Sequence, residues 1–443
     1  MDNSKNIKES YINNFKDFEN NLNGESDSSF HKIRRQAIKK FSELDFPDRK
    51  NEEWRCTNIS PLLQQSFSIS NNHIKLNVKD VSNHIIKDLD AYVMIFVNGK
   101  FSIRHSQLEN IQKGIKIRSL ADCIKNNDKD LLQHFGKYAD YKNNIFTSLS
   151  TAFTTDGAFI NVDDNCVIEK PIYLLFLTKA GNVNIQTQPR NLIVTGKNSQ
   201  LTVIEHFSSS DNSIYFTNTI TEIVAKENAV IDHIKLQEES INAFHIARME
   251  IVQERNSNFT SHLISIGGKL SRNDINSKFN DEGGETILNG LFLIEKDQLF
   301  DIHSFVDHAK PNCNSNEHYK GILDDDSRGV FNGKIIVRKD AQKTNAFQKN
   351  NNILLSKNSL INTKPQLEIF ADDVKCSHGA TIGQLDNDAT FYLKSRGIGE
   401  EASKVILLHA FASDIINHIK VDAVKNYAKE IINKRINKIK KEN

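Results

Sequence analysis

Near the N-terminus the apolar positions fall at helical spacing. Phe30, Ile33, Ala37 and Phe41 recur every three to four residues, which predicts a helix that Ser26 or Asp27 caps and Pro47 ends. A mixed stretch follows, with a strand at Tyr92–Val97 and a short helix near residues 128–135. From about residue 150 the period shortens to that of strands, as β-branched runs separated by Asn, Gly, Asp and Ser. After about 385 it lengthens again. Ala402, Val405, Ile406 and His409 make one helical stripe; Val424, Tyr427, Ala428, Ile431, Ile432 and Ile439 make a longer one, with Lys425, Lys429 and Lys438 facing away. The expected organisation is a helical or mixed segment 1–150, a β segment 151–384 and a helical segment 385–443.

The β segment carries a longer repeat. Ile193-Val194 is followed four residues on by Asn198, Ile223-Val224 by Asn228 and Ile251-Val252 by Asn256. Phe279-Asn280 leads to Gly284, Ile336-Val337 to Ala341 and Ile369-Phe370 to Val374. The first four units lie 30, 28 and 28 residues apart, and Glu222, Glu250 and Glu368 precede three of the apolar pairs. A strand ending in an Asn or small-residue turn at this period predicts stacked coils, because one coil cannot bury its apolar face alone. An antiparallel sandwich is the alternative, but its strands recur at about 8–12 residues without a longer superperiod. A parallel β-helix between helical ends is the expected fold.

Composition narrows the function. The 443 residues hold 57 Lys and Arg against 56 Asp and Glu, a net charge of +1, which argues against a dedicated nucleic-acid binder. Five cysteines without a CxxC pair fit a reducing compartment rather than a disulfide framework. The N-terminal MDNSKNIKES has no apolar signal core, and no apolar run approaches the ~18 residues of a membrane span. A soluble cytoplasmic protein with no membrane partner is expected.

Motifs for self-contained catalysis are missing: there is no GxxxxGK[ST], GxGxxG, HExxH or GxSxG. His303, His308, Cys313 and His318 recur every five residues, a spacing that turns a helix by about 500° and so scatters them around it. On a strand the odd spacing alternates faces, so core or solvated histidines are the expected reading. Asp324-Asp325-Asp326 starts like a calcium loop, but Arg328 and Ile335 stand where its ligands belong, leaving a tight acidic turn. Cys376 and His378 in KCSHGAT are sharper. Two apart on a strand, they share a face and form a possible pair of soft ligands, with a buried Cys beside a hydrogen-bonded His as the alternative.

Three stretches carry a family resemblance. LEIFADDVKCSHGATIGQLDNDATFYLKSRGI (367–398), YKGILDDDSRGVFNGKI (319–335) and FPDRKNEEWR (46–55) resemble signatures of the SufB/SufD family, scaffold subunits of the SUF iron–sulfur cluster assembly system. The resemblance implies a right-handed parallel β-helix between helical domains and a non-catalytic role. It implies pairing of SufB with SufD through their β-helix ends, with each C-terminal helical domain docking one SufC ATPase. Sulfur would arrive through SufB from a cysteine desulfurase, and a nascent cluster would form at the SufB–SufD interface. The stretch 351–360 has no cysteine where SufB carries its sulfur acceptor, and His378-Gly379 stands where SufB has His-Glu, so the SufD branch is the nearer match. The family's interface histidine falls on His378 and its neighbouring cysteine on Cys376, candidate ligands for iron or a transient iron–sulfur cluster shared with SufB. Tyr392, Arg396 and Phe411 are the ATPase-docking candidates. An isolated chain could form a homodimer. Two rival readings stay open, a SufB-type sulfur-accepting subunit and a carbohydrate-active β-helix enzyme using Asp324–Asp326.

Overall fold

A computed structural model describes residues 2–22, 28–69, 76 and 78–442. Two parallel sheets stack strand upon strand. One contains Ala158–Val162, Arg190–Thr195, Tyr215–Ala225, Phe244–Gln253, Leu270–Phe279, Leu299–His308, Arg328–Val337 and Leu360–Ile369 in that order. The other contains Ile172–Thr178, Gln200–Ser209, Val230–Glu238, Asn258–Ser265, Glu285–Ile294, Asn314–Leu323, Thr344–Leu354 and Val374–Gly383. The chain alternates between them, so each turn contributes one strand to each sheet. The result is the expected parallel β-helix, of about eight turns.

The repeat is real, and its later members need correcting. Ile193, Ile223 and Ile251 are register partners. Their column continues through Ser277, Val306, Ile335 and Leu367, so Phe279, Ile336 and Ile369 lie one or two positions beyond it. The turn containing Leu299–His308 escapes the pattern altogether. At one rung the column turns polar: Ser277 bonds Gln253 at 3.0 Å and Thr286 at 2.9 Å inside the solenoid, which is why the apolar signal in that coil sits two positions on, at Phe279. Asn198, Asn228 and Asn256 do occupy left-handed turns at φ 52°, 56° and 52°, as Asn tolerates. Their amides stack, Asn228 donating to Asn198 and Asn198 to Asn165, each at 2.8 Å. In the next turn Gly283, not Gly284, has the positive φ.

The helix read from Phe30, Ile33, Ala37 and Phe41 spans Ser29–Glu43, and a helix at Asp2–Asn20 precedes it. Ser26 and Asp27 lie outside the described residues; the cap is Ser28, whose hydroxyl accepts from His31 N at 3.1 Å. Strand Tyr92–Val97 forms as expected, and it joins the second sheet in parallel beside Ile172–Thr178. Ile115–Ser119 adds antiparallel to Ala158–Val162, so this end of the solenoid is closed by strands that cannot propagate further coils. A helix at Ile145–Phe153 runs across position 150, and Lys129–His134 forms the short helix, capped by Asp128.

At the other end the chain leaves as helices Asn387–Ser395, Glu400–Ile416 and Asp422–Glu442. Val424, Ala428, Ile431, Ile432 and Ile436 bury against Ile204, Ile234, Leu236, Ile264 and Leu291 on the outer face of the second sheet. This is the longer stripe read from sequence; the side chains of Lys438 and Ile439 lie outside the described residues. The other stripe is corrected. Ala402 and Ile406 are exposed, and Ser403, Leu408, Ala412, Ile415 and Ile416 are the buried positions. Apolar residues surround the helix from 405 to 411, so periodicity could not choose its inner face. Among the described residues no helix is long and apolar enough to cross a membrane.

Candidate functional site

The last strand, Val374–Gly383, hydrogen-bonds to Thr344–Leu354 on one edge, and no strand among the described residues covers its other edge. Cys376 is the register partner of Ala346 and His378 of Gln348, so the pair follows columns that face the interior in the preceding turns. Cys376 is half-buried against the interior core, and burial pushes its thiol above the ordinary cysteine value. His378 is exposed, because no further coil covers it. The structure therefore brings these two candidates to one face at the open end of the solenoid.

Around them the coil end is apolar. Leu360, Ile369, Phe370 and Ile382 are 48, 40, 64 and 50% exposed, beside two unpaired strand edges. An exposed strand edge with apolar side chains is normally covered in a stable protein. Among the described residues, Cys376 and His378 are the soft ligands at this end. Among the described residues no group of three or more His, Cys, Asp and Glu could hold a metal ion. A thiolate and an imidazole suit iron in an iron–sulfur environment, and two such ligands leave its coordination incomplete.

The remaining candidates part company. His308 is buried with Nε2 2.8 Å from Ser315 Oγ, Cys313 is buried in the interior, and half-buried His318 meets Asn351 at 3.2 Å. These are core or partly solvated groups, as the sequence suggested, with His308 Nδ1 left buried without a hydrogen-bond partner. His303 belongs to a buried ionic network described below. Asp324, Asp325 and Asp326 form the turn between Asn314–Leu323 and Arg328–Val337, with Asp325 at φ 51° accepting from Lys296 N at 2.9 Å.

Helix Asn387–Ser395 buries none of its side chains. Tyr392 is 57% exposed, with the Arg396 guanidinium 5.4 Å from its ring centroid, and Phe391 beside it is 73% exposed. Sequence reading passed over Phe391, whose signal was its place next to Tyr392 on a helix with no buried stripe. Phe411 has a different setting: Lys320 on the solenoid sits 4.4 Å over its ring, donates to its carbonyl at 3.2 Å and pairs with Asp414 at 2.7 Å. Phe411 thus anchors its helix to the coil.

The FPDRKNEEWR segment is docked on the first sheet. Arg272 lies 3.8 Å over the Trp54 ring, donates to Glu53 O at 2.8 Å and pairs with Asp301 at 2.7 Å. His303 bridges Glu53 and Asp301 at 3.0 Å each, and Thr57 donates to Asp301 at 2.6 Å. Burial alone would raise the Asp301 carboxyl, but His303 and Arg272 hold it near 2; burial alone would lower His303, but Asp301 lifts it to about 9.

Comparison with known proteins agrees with the geometry. The SufBD core domain of the SUF system for FeS cluster assembly matches residues 176–411, and the SufBD N-terminal region matches residues 5–174. The chain is 33% identical to the iron–sulfur cluster assembly SufBD family protein slr0076 of Synechocystis over 422 residues, 94% of this chain and 93% of that protein. It is 30% identical to the iron–sulfur cluster assembly protein SufD of Escherichia coli, covering 90% of this chain and 92% of that one. The chloroplastic protein ABCI7 of Arabidopsis thaliana is 29% identical over 94% of this chain and 89% of its own length. With a β-solenoid, helical ends and both domains matched, this chain belongs to the SufBD family of iron–sulfur cluster assembly proteins.

Proposed function

We propose that this chain is a non-catalytic scaffold subunit in the SufD role, pairing with SufB through the open end of its solenoid. The observation that carries this reading is the placement of Cys376 and His378 on an apolar coil end with free strand edges. Two ligands on one strand are half a site, and a partner contributing a second edge would both cover the apolar surface and supply the remaining ligands for iron or a nascent cluster. The exposed helix with Phe391, Tyr392 and Arg396 supports docking of the SufC ATPase at a second surface. Movement of that helical region on ATP-driven dimerisation of SufC would be transmitted to the coil end through the Phe411–Lys320–Asp414 anchor. The SufB-type reading has no sulfur-accepting cysteine in 351–360 to support it. The carbohydrate-active reading is weakened because Asp324 accepts from Asp325 N in its own turn and Asp325 from Lys296 N in the adjacent coil's turn.

The test is anaerobic co-purification with SufB and SufC, wild type beside His378→Ala. The variant is expected to assemble the complex while retaining several-fold less iron–sulfur absorbance after reconstitution. Unchanged cluster content would remove His378 from the site. In the same assay Arg396→Glu is expected to lose SufC but keep SufB, since it reverses charge on the exposed helix and touches nothing at the coil end. Retention of SufC at wild-type stoichiometry would refute that docking surface.

A further inference from the structure

The interior column that ends at His378 contains an acid with no counter-ion. Ser261, Leu288, Glu317, Gln348 and His378 are successive register partners on five parallel strands. Their side chains share one face, with neighbouring rungs about 4.8 Å apart. Glu317 is fully buried; its Oε2 accepts from Ser304 Oγ at 2.5 Å and from Gln348 Nε2 at 3.3 Å. Glu317 Oε1 and Gln348 Oε1 are each buried without a hydrogen-bond partner.

As a carboxylate, Glu317 would set two orphaned acceptors side by side in the interior, which is costly. Among the described residues no Lys, Arg or His offsets it. Ser304 faces it from the opposite sheet and Gln348 from the next rung, and Tyr319 is the titratable side chain that its charge reaches. A proton on Glu317 Oε1 satisfies both orphans, donating to Gln348 Oε1 while Gln348 Nε2 donates back. Gly333 provides the room, since a Cβ there would collide with the Gln348 amide.

We propose that Glu317 is a positioning residue for the His378 site: as an uncharged acid paired two ways with Gln348, it fixes the amide that underlies His378. This deepens the scaffold reading, yet it concerns the metal-free chain alone. Burial pushes the Glu317 carboxyl up to about 7, the Ser304 and Gln348 bonds offsetting only part of that rise.

The test compares wild type, Glu317→Gln and Gln348→Met without iron or partners, so failure of cluster binding and failure of this inference are separate results. The His378 ring resonances, assigned by their loss in His378→Ala, are read by histidine-selective NMR at pH 6. Glu317→Gln keeps one donor and one acceptor and should leave them in place. Gln348→Met breaks the pair without leaving a void and should shift them, while those of His84, far along the solenoid, stay fixed. The sign of the pH effect follows from a folded value above the ordinary 4.5. Wild type is favoured at low pH and loses stability as pH rises through about 7, so the Tm of Glu317→Gln relative to wild type should climb between about 4.5 and 7 and then level. His378 resonances unmoved by Gln348→Met, or a Tm difference independent of pH, would overturn the inference.

Discussion

Arg272→Ala is expected to destabilise the folded chain by about 3–5 kcal/mol, the range for breaking a buried ion pair from one side. Arg272 neutralises Asp301, whose side chain is fully buried, and covers Trp54. Removing it leaves Asp301 with His303 and Thr57 alone and strips the ring of its cationic lid. Trp54 is the chain's only tryptophan, so urea unfolding followed by its fluorescence reports this site directly. Loss of the N-terminal contact should appear as a red-shifted emission before global unfolding. A change under about 1 kcal/mol with unaltered emission would show the network to be dispensable. The pH window follows from two signs. Asp301, held near 2, contributes stability that is present above its ordinary 3.8 and lost as pH falls through about 2. His303, lifted to about 9, contributes stability present below 6.5 and lost as pH rises through about 9. The docking should therefore be firmest between about pH 4 and 6.5.

The second large effect is expected at Glu222. Sequence reading found Glu222, Glu250 and Glu368 as equivalent members of one repeat, but their surroundings make them unequal. Glu222 is fully buried against fully buried Arg190 at 2.7 Å and also accepts from Ala139 N at 2.9 Å. Arg190 in turn lies 4.8 Å from the Phe135 ring centroid, so this one carboxylate ties the short N-terminal helices to the first sheet. Glu222→Ala leaves a buried guanidinium unpaired and should lower stability by about 3–5 kcal/mol. Glu368 pairs with Lys334 at 2.7 Å in a setting 42% exposed, and Glu368→Ala should change stability by less than about 1 kcal/mol. Chemical denaturation of both variants decides it; equal effects would mean that burial is not what separates them.

The candidate site was legible only in part. Cys376 and His378 stand two apart in a run of strand-forming residues, so their shared face followed from sequence. Their exposure did not, because it depends on this strand being the last rung. The polar break at Ser277 displaced the apparent repeat to Phe279, since an interior hydrogen bond replaced the apolar contact that pattern reading relies on. Nothing in the local pattern singles out Glu317; register sets it behind Gln348 and opposite Ser304. The Trp54–Arg272–Asp301 network joins positions more than two hundred residues apart, a pairing that no local period encodes.

By itself, then, the sequence determined the β-helix, its Asn turns and the helical ends, because stacked coils write their 28–30-residue period and strand alternation directly into the chain, while the family was carried by three specific motifs. Tertiary structure alone decided which glutamates are buried, which helix face packs, and that one end of the solenoid is sealed while the other is open. Those outcomes rest on which coil lies against which neighbour, and burial is a property of the neighbour as much as of the residue.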